Sequence, residues 1–257
     1  MITLTSDFGL RDPYVAEMKG VILTTNPKAI IVDISHDVEK FNVRMGAFIL
    51  ASAAPFFPKG TIHLVVVDPG VGTQRRAILV QTKMAYFIGP DNGVLMLAAL
   101  GQGVEHIYEL LNRNLMLPKI SNTFHGRDIF APAGANLDKG VKASDFGQEI
   151  SNPVTPNFVA VEQIKEGLCG EVLHIDGFGN IITNIKEKNM INAKILKIKL
   201  AATSLEAKFG KAYAEARPEE PIVLVGSHGF VEIAVNHGSA AEKFHPQVGD
   251  KILLTSA

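Results

Sequence analysis

Along the first half of the chain, apolar positions follow two alternating patterns. Short apolar or β-branched runs at Ile2–Thr5, Ile30–Ile34 and Thr61–Val67 read as strands. Within the last of these, Leu64–Val67 shows no polar alternation, the pattern of a strand covered on both faces. Between the runs, Val15, Met18 and Ile22, then Val43, Ala47, Leu50 and Ala54, recur at helical spacing. Asp12-Pro13 opens the first helix, with Asp12 as N-cap and Pro13 at the first helical position, and Asn26-Pro27 closes it. The second helix ends before Pro55. This alternation predicts a parallel sheet with crossover helices. Ala77–Gln81 and Met84–Ile88 pattern as a hairpin, so the sheet is expected to be mixed. A short helix over Val94–Leu100, a strand over His106–Leu110 and a helix opening at Ile129, with Gly140 as its C-cap, complete this part.

Near Ser151-Asn-Pro-Val-Thr-Pro156 the pattern changes. Beyond it come short β-branched segments separated by turns: Gly170–Ile175, Asn180–Ile185, Ala193–Leu200, Ile222–Val225, Phe230–Val235 and Lys251–Thr255. They predict a small antiparallel sandwich or barrel with no long helix. The expected organisation is an α/β domain over 1–150, whose mixed, mostly parallel sheet is flanked by helices. A linker over 151–165 leads to a β-barrel-like antiparallel domain over 166–257.

Composition narrows the function without naming it. The 257 residues are 47% hydrophobic and 20% charged, with a formal net charge of −1. That balance gives no electrostatic reason to expect nucleic acid or an anionic membrane as partner, and a small neutral or zwitterionic ligand fits better. Cys169 is the only cysteine; between Leu168 and Gly170 it reads as an inert buried thiol in a strand. The N-terminus has no basic region or signal-length apolar stretch, and no apolar segment reaches ~18 residues, so a cytoplasmic protein is expected.

Candidate chemistry gathers at strand ends. The run Val65-Val-Val-Asp-Pro-Gly-Val-Gly-Thr-Gln-Arg-Arg76 carries Asp68 out of a buried strand into an irregular loop, with Arg75 a few residues on. Ligands of open α/β sheets collect at such carboxyl ends, although the same pair reads equally as a loop salt bridge. Asp7 stands at a second strand end, and His125 in the loop Thr123-Phe-His-Gly-Arg-Asp128. A histidine, a carboxylate and a guanidinium make a sensible set for activating water. Singly, His125 reads as a structural histidine and Asp7 as a turn or cap residue. Asp33, His36 and Asp37, or His125 with Asp128, mix basic and acidic candidates where a hard-metal site gathers carboxylates, so no metal site is expected. Ser6-Asp-Phe-Gly9 lacks the partner motifs of a kinase, and Val71-Gly-Thr73 lacks the ending of a phosphate loop. Asp176-Gly-Phe-Gly-Asn180 and Gly226-Ser-His-Gly229 are tight polar turns between strands; in the first, Phe178 suits stacking and Asn180 suits hydrogen bonds to a base edge.

Together these loops resemble the S-adenosylmethionine hydrolase (hydroxide adenosyltransferase) family, to which fluorinase and chlorinase are related. The resemblance rests on Thr5-Ser-Asp-Phe-Gly9, Asp12 with Lys19-Gly20, Val67-Asp-Pro-Gly-Val-Gly72 with Arg75, Gly89-Pro-Asp-Asn-Gly93, Thr123-Phe-His-Gly-Arg127, Asp176-Gly-Phe-Gly-Asn180 with Thr183-Asn184, and Gly226-Ser-His-Gly229. It covers nearly the whole chain. It implies an α/β domain joined to a β-barrel-like domain, and a homotrimer with substrate between neighbouring subunits. The implied reaction is displacement of L-methionine from C5′ of S-adenosyl-L-methionine by water or hydroxide, giving adenosine, with no cofactor or metal. The family's Asp, Arg and His set maps onto Asp68, Arg75 and His125.

By the same resemblance, Asp7 binds the ribose hydroxyls, while Phe41 and Phe124 line the nucleoside pocket. Asp176, Phe178 and Asn180 lie around the adenine and amino acid ends, Asp12 and Ser227 lie toward methionine, and Glu232 joins the substrate-binding set. Gly126 occupies the halide-pocket position, which is Ser in fluorinase and Gly in chlorinase. His228 stands where fluorinase has an Arg. The halogenases carry other residues at the positions of Asp68 and His125, so hydrolysis is favoured over halide transfer. The alternatives are a 5′-halogenase and a non-catalytic protein that binds adenosine or S-adenosylmethionine.

Overall fold

The structure is a computed structural model that describes residues 1–165, 167–190, 194–200 and 203–256. It divides into two compact units, Met1–Pro156 and Asn157–Ala257.

The first unit runs β1 (Ile2–Ser6), α1 (Tyr14–Thr25), β2 (Ile31–Ser35), α2 (Val43–Ala53), β3 (Ile62–Val66), β4 (Ala77–Thr82), β5 (Tyr86–Pro90), α3 (Met96–Gly101), β6 (Val104–Glu109) and α4 (Ala131–Asp138). Its six strands lie in the order β2-β1-β3-β5-β4-β6. The β1–β2, β1–β3 and β3–β5 pairs are parallel, and β4 pairs antiparallel with β5 and β6. The sheet is thus mixed and flanked by helices, as the alternation and the hairpin pattern predict.

Helices cover both faces because β3 is buried on both. A Cβ on Gly134 of α4 would lie 3.2 Å from Leu64 Cδ1, and one on Gly46 of α2 would lie 3.0 Å from Val67 Cγ2, on the opposite side of the pleat. Val15, Met18 and Ile22 form the buried side of α1. One expectation fails here. Pro13, not Asp12, is the N-cap of α1, because its carbonyl accepts the first intrahelical bond from Glu17 N–H at 2.9 Å. Asp12 is exposed, and no side chain caps the helix.

The second unit contains β7 (Glu162–Ile164), β8 (Gly167–Ile175), β9 (Ile181–Lys186), β10 (Ile195–Leu200), β11 (Thr203–Phe209), β12 (Pro221–Val225), β13 (Phe230–Val235), a one-turn helix α5 (Ala240–Phe244) and β14 (Lys251–Ser256). The order β14-β10-β11-β12-β13-β9-β8 closes through a β14–β8 pairing into a seven-stranded barrel, with β7 added outside β8. Closure leaves no free edges among those seven strands and encloses Val172, Ile185, Ile198, Val231 and Leu254. Ala193, the start of one expected strand, and Glu166 and Ala257, the ends of the expected second domain, lie outside the described residues. β11 is absent from the sequence reading, although Leu205, Ala207 and Phe209 alternate in it with more exposed residues.

Candidate active site

The chain leaves β1 for β2 on one side and returns to β3 on the other. The carboxyl ends of β1 and β3 therefore meet where the strand order reverses, the place at which open α/β sheets form a crevice. Ser6 pairs with Val66 across these ends. Asp7 and Asp68, one and two residues beyond them, line a cavity of about 300 Å³ together with Phe8, Tyr14, Phe41, Phe124, His125 and Gly126.

Asp68, Arg75 and His125 are joined directly. Arg75 Nε donates to Asp68 Oδ1 at 2.9 Å, and its Nη2 donates to Asp68 Oδ2 as well. The same Nη2 lies 2.8 Å from His125 Nδ1. The Asp68 and Arg75 side chains are only 5% and 10% exposed, so this is a bidentate pair largely shielded from water. A guanidinium can only donate, so Nδ1 is the acceptor and the ring proton sits on Nε2. Burial and then the Arg75 charge hold the His125 pKa below its usual 6.5, outweighing Asp68, Asp128 and the backbone of Ser121, which accepts from the ring. His125 is therefore neutral at pH 7.

Local sequence explains the convergence. Gly72 adopts φ +76°, and a Cβ there would lie 2.1 Å from the carbonyl oxygen of Asn122. Only glycine lets the 68–75 loop pass this close to the segment that carries His125. His125 itself precedes a π-helical turn over Gly126–Phe130, a distortion that recurs at functional sites. The turn is anchored by Asp128, which accepts from Ser121 N at 2.7 Å and from Arg127 Nε at 2.7 Å; Arg127 also donates to Glu17 at 2.7 Å. Burial pushes the Asp128 pKa up, but those hydrogen bonds outweigh it and hold it below its usual value. Asp128, paired with His125 as a metal candidate in the sequence, faces these partners instead.

Asp7 is buried, and its Oδ2 accepts from Phe41 N at 2.8 Å while Lys40 Nζ donates to its backbone carbonyl. Phe8, Tyr14 and Phe124 make mutual tilted and edge contacts, with ring centroids 5.3–5.5 Å apart, and give the cavity an aromatic wall. Tyr14 and Lys40 line this cavity without having been singled out by the sequence; neither belongs to a motif that would mark it. Gly126 is there for space, since a Cβ would lie 3.2 Å from each of Met18 Sδ, Phe124 Cε2 and Val66 Cγ1. Asp12 does not line this cavity.

In the second unit, Phe178 and Asn180 line a cavity of about 580 Å³ with Tyr213, Asn236 and His237. Asp176 organises the turn beside it. Its Oδ1 accepts from Phe178 N and Asn180 N, both at 2.9 Å, and its Oδ2 accepts from Asn180 Nδ2 at 2.9 Å. Phe178 is left 83% exposed. Glu232 is buried, accepts from the OH of Tyr213 and lies 3.2 Å from His228 Nε2. Burial and then this carboxylate raise the Tyr213 pKa, so the phenol keeps its proton. Ser227 is exposed in the β12–β13 turn and lines neither cavity. Among the described residues, no three His, Cys, Asp or Glu side chains are grouped to hold a metal ion.

Residues 2–147 match the model of the SAM hydroxide adenosyltransferase N-terminal domain, and residues 170–253 match that of its C-terminal domain. The chain belongs to the SAM hydroxide adenosyltransferase family. Among family members, the (R)-S-adenosyl-L-methionine hydrolase of Salinispora tropica is 38% identical over 99% of this chain and 97% of its own length. A fluorinase of Actinopolyspora mzabensis is more distant, at 27% identity over 99% of this chain and 97% of its own. A crystal structure of a Thermotoga maritima protein, described only as an uncharacterized conserved protein, superposes with a TM-score of 0.89 at 39% identity, covering 99% of this chain and 100% of that one.

Proposed function

We propose that this protein hydrolyses S-adenosyl-L-methionine to adenosine and L-methionine, with Asp68, Arg75 and His125 activating the water and Asp7 holding the ribose. The observation that carries the assignment of roles is the hydrogen-bonded Asp68–Arg75–His125 set, of which Asp68 and His125 line, beside Asp7, one crevice at the switch point of the sheet.

The chemistry asks little of an acid. The oxygen of water forms a bond to C5′ while the C5′–S bond breaks, its electron pair returns to sulfur, and the sulfonium leaves as a neutral thioether. What the reaction needs is an aimed, desolvated nucleophile. Neutral His125 presents Nε2–H as a donor to the water, and the Asp68 carboxylate accepts one of its protons as the C–O bond forms. Arg75, bonded to both, fixes their spacing and offsets the buried negative charge. The proton then passes from Asp68 to solvent. No bound cofactor enters this balance.

Phe178 and Asn180 of the second cavity belong to the same proposal as stacking and hydrogen-bonding groups, held by the Asp176 turn, with Asp12 and Ser227 assigned to the methionine end and Glu232 to the substrate-binding set. Homotrimeric assembly is also part of it and is read by sedimentation velocity.

The test is turnover of S-adenosylmethionine followed by chromatography. Asp68→Asn and His125→Ala are each expected to lower kcat by about a hundredfold or more while adenosine affinity changes less than about threefold. Equal losses in both quantities refute the assigned roles. Accumulation of 5′-chloro- or 5′-fluoroadenosine in halide buffer turns the reading to a halogenase, and binding without turnover turns it to a carrier.

A further inference from the structure

Ser6, His36 and Asp33 form a chain of contacts that ends on the Asp7 loop. Ser6 Oγ lies 2.8 Å from His36 Nδ1, and His36 Nε2 lies 3.2 Å from Asp33 Oδ1, off the line of a good hydrogen bond. Asp33 is bound at its outer oxygen by Lys19 Nζ at 2.6 Å. Burial pushes the Asp33 pKa up, but the contacts from Lys19 and His36 outweigh it and hold it below its usual value. An ionised Asp33 keeps the His36 ring proton on Nε2, leaving Nδ1 to accept from the Ser6 hydroxyl. Ser6 Oγ in turn accepts from Phe8 N at 3.3 Å. Ser6 is 1% exposed and His36 5%, so the serine has no access to a substrate and the array is no nucleophilic triad.

The same histidine holds the loop at its far end, because Gly9 N donates to His36 carbonyl oxygen at 2.7 Å. Asp7 and Phe8 lie between these two attachments, and both line the site cavity. We propose that His36 is a positioning residue for the ribose subsite, whose side chain sets the direction of the Asp7 carboxylate by holding the loop at Ser6, while its main-chain carbonyl holds Gly9 whatever the side chain, with Asp33 fixing the tautomer. This rests on the reading of Asp7 as the ribose-binding carboxylate.

The experiment measures adenosine affinity by calorimetry and KM and kcat for S-adenosylmethionine in His36→Ala, His36→Asn, Asp7→Ala and the double variant His36→Ala/Asp7→Ala. In His36→Ala, both KM and the adenosine Kd are expected to rise about tenfold, with kcat within about threefold of the parent. His36→Asn, whose amide oxygen stands near Nδ1, recovers most of the loss. Histidine replacement adds nothing further to Asp7→Ala. A folded His36→Ala with unchanged Kd, a loss confined to kcat, or additive effects in the double variant overturns the proposal. If Asp7→Ala itself leaves adenosine affinity unchanged, the ribose reading fails instead. Should His36→Ala fail to fold, Asp33→Asn at the exposed end of the chain is expected to raise Kd about twofold to threefold, and an unchanged Kd there is equally fatal.

Discussion

Acid should destabilise the first unit through one side chain in β3, the strand that ends next to Asp68. His63 is 0% exposed, stacks on Phe87 at 5.0 Å, meets Phe57 edge-on and has Thr3 Oγ1 2.8 Å from its Nδ1. Its Nε2 has no hydrogen-bond partner among the described residues. Burial lowers its pKa from 6.5 to about 4. The sign follows from linkage. Below pH 6.5 the unfolded chain takes up a proton at this position while the folded one refuses it until about pH 4, so stability falls across that window and is fully present above it. A gap of about 2.5 pH units corresponds to about 3 kcal/mol in full, of which about 2 kcal/mol is lost by pH 5. For a unit of this size that lowers Tm by about 4–8 °C. His63→Phe retains the aromatic packing and removes the titrating group. It leaves Thr3 Oγ1 unpaired at an offset of about 1 kcal/mol, the same at every pH. Melting curves of both proteins at pH 7.5, 6.5, 5.5 and 5.0 give two pH slopes, and their difference isolates His63 from the carboxylates. Parallel slopes would refute the reasoning.

Gly72→Ala places a methyl group 2.1 Å from a backbone oxygen at φ +76°. The 68–75 loop has to move, the Arg75–His125 contact opens, and kcat should fall at least about tenfold; a parental rate would show that the contact is not needed. Because burial and Arg75 hold the His125 pKa down, the acid limb of the kcat profile is expected below pH 6.5, with activity lost as His125 protonates. Removing the cation in Arg75→Leu relieves the imidazolium, so in whatever activity remains that limb should move to higher pH, and a limb that stays or falls contradicts the neutral His125.

Much of this molecule was legible along the chain. The helix and strand periods of the first unit and the turn-punctuated strands of the second matched elements that form, because such patterns depend on neighbours within a few residues. Where the reading slipped, the cause was a competing signal. Asp12 looked like a cap, but the Pro13 carbonyl took the first helical bond. β11 passed unnoticed because its apolar residues alternate with charged and polar ones and its pairing to β10 and β12 is supplied by the closed barrel. Asp68, Arg75 and His125 were visible as chemistry-bearing loop residues, and the motifs around them carried the resemblance to the family.

Sequence by itself determined which segments are helix and strand, that the charge suits a small ligand, and which loops hold reactive groups, since each of these is written in local composition. Only the tertiary structure decided that Arg75 reaches across 50 residues to accept no proton from His125 but to donate to it, that Asp128 turns away to Arg127, and that His36 grips the Asp7 loop from both ends. Those outcomes depend on the reversal of strand order between β1 and β3 and on backbone passing within a hydrogen bond of backbone, and no residue's immediate neighbours carry that information.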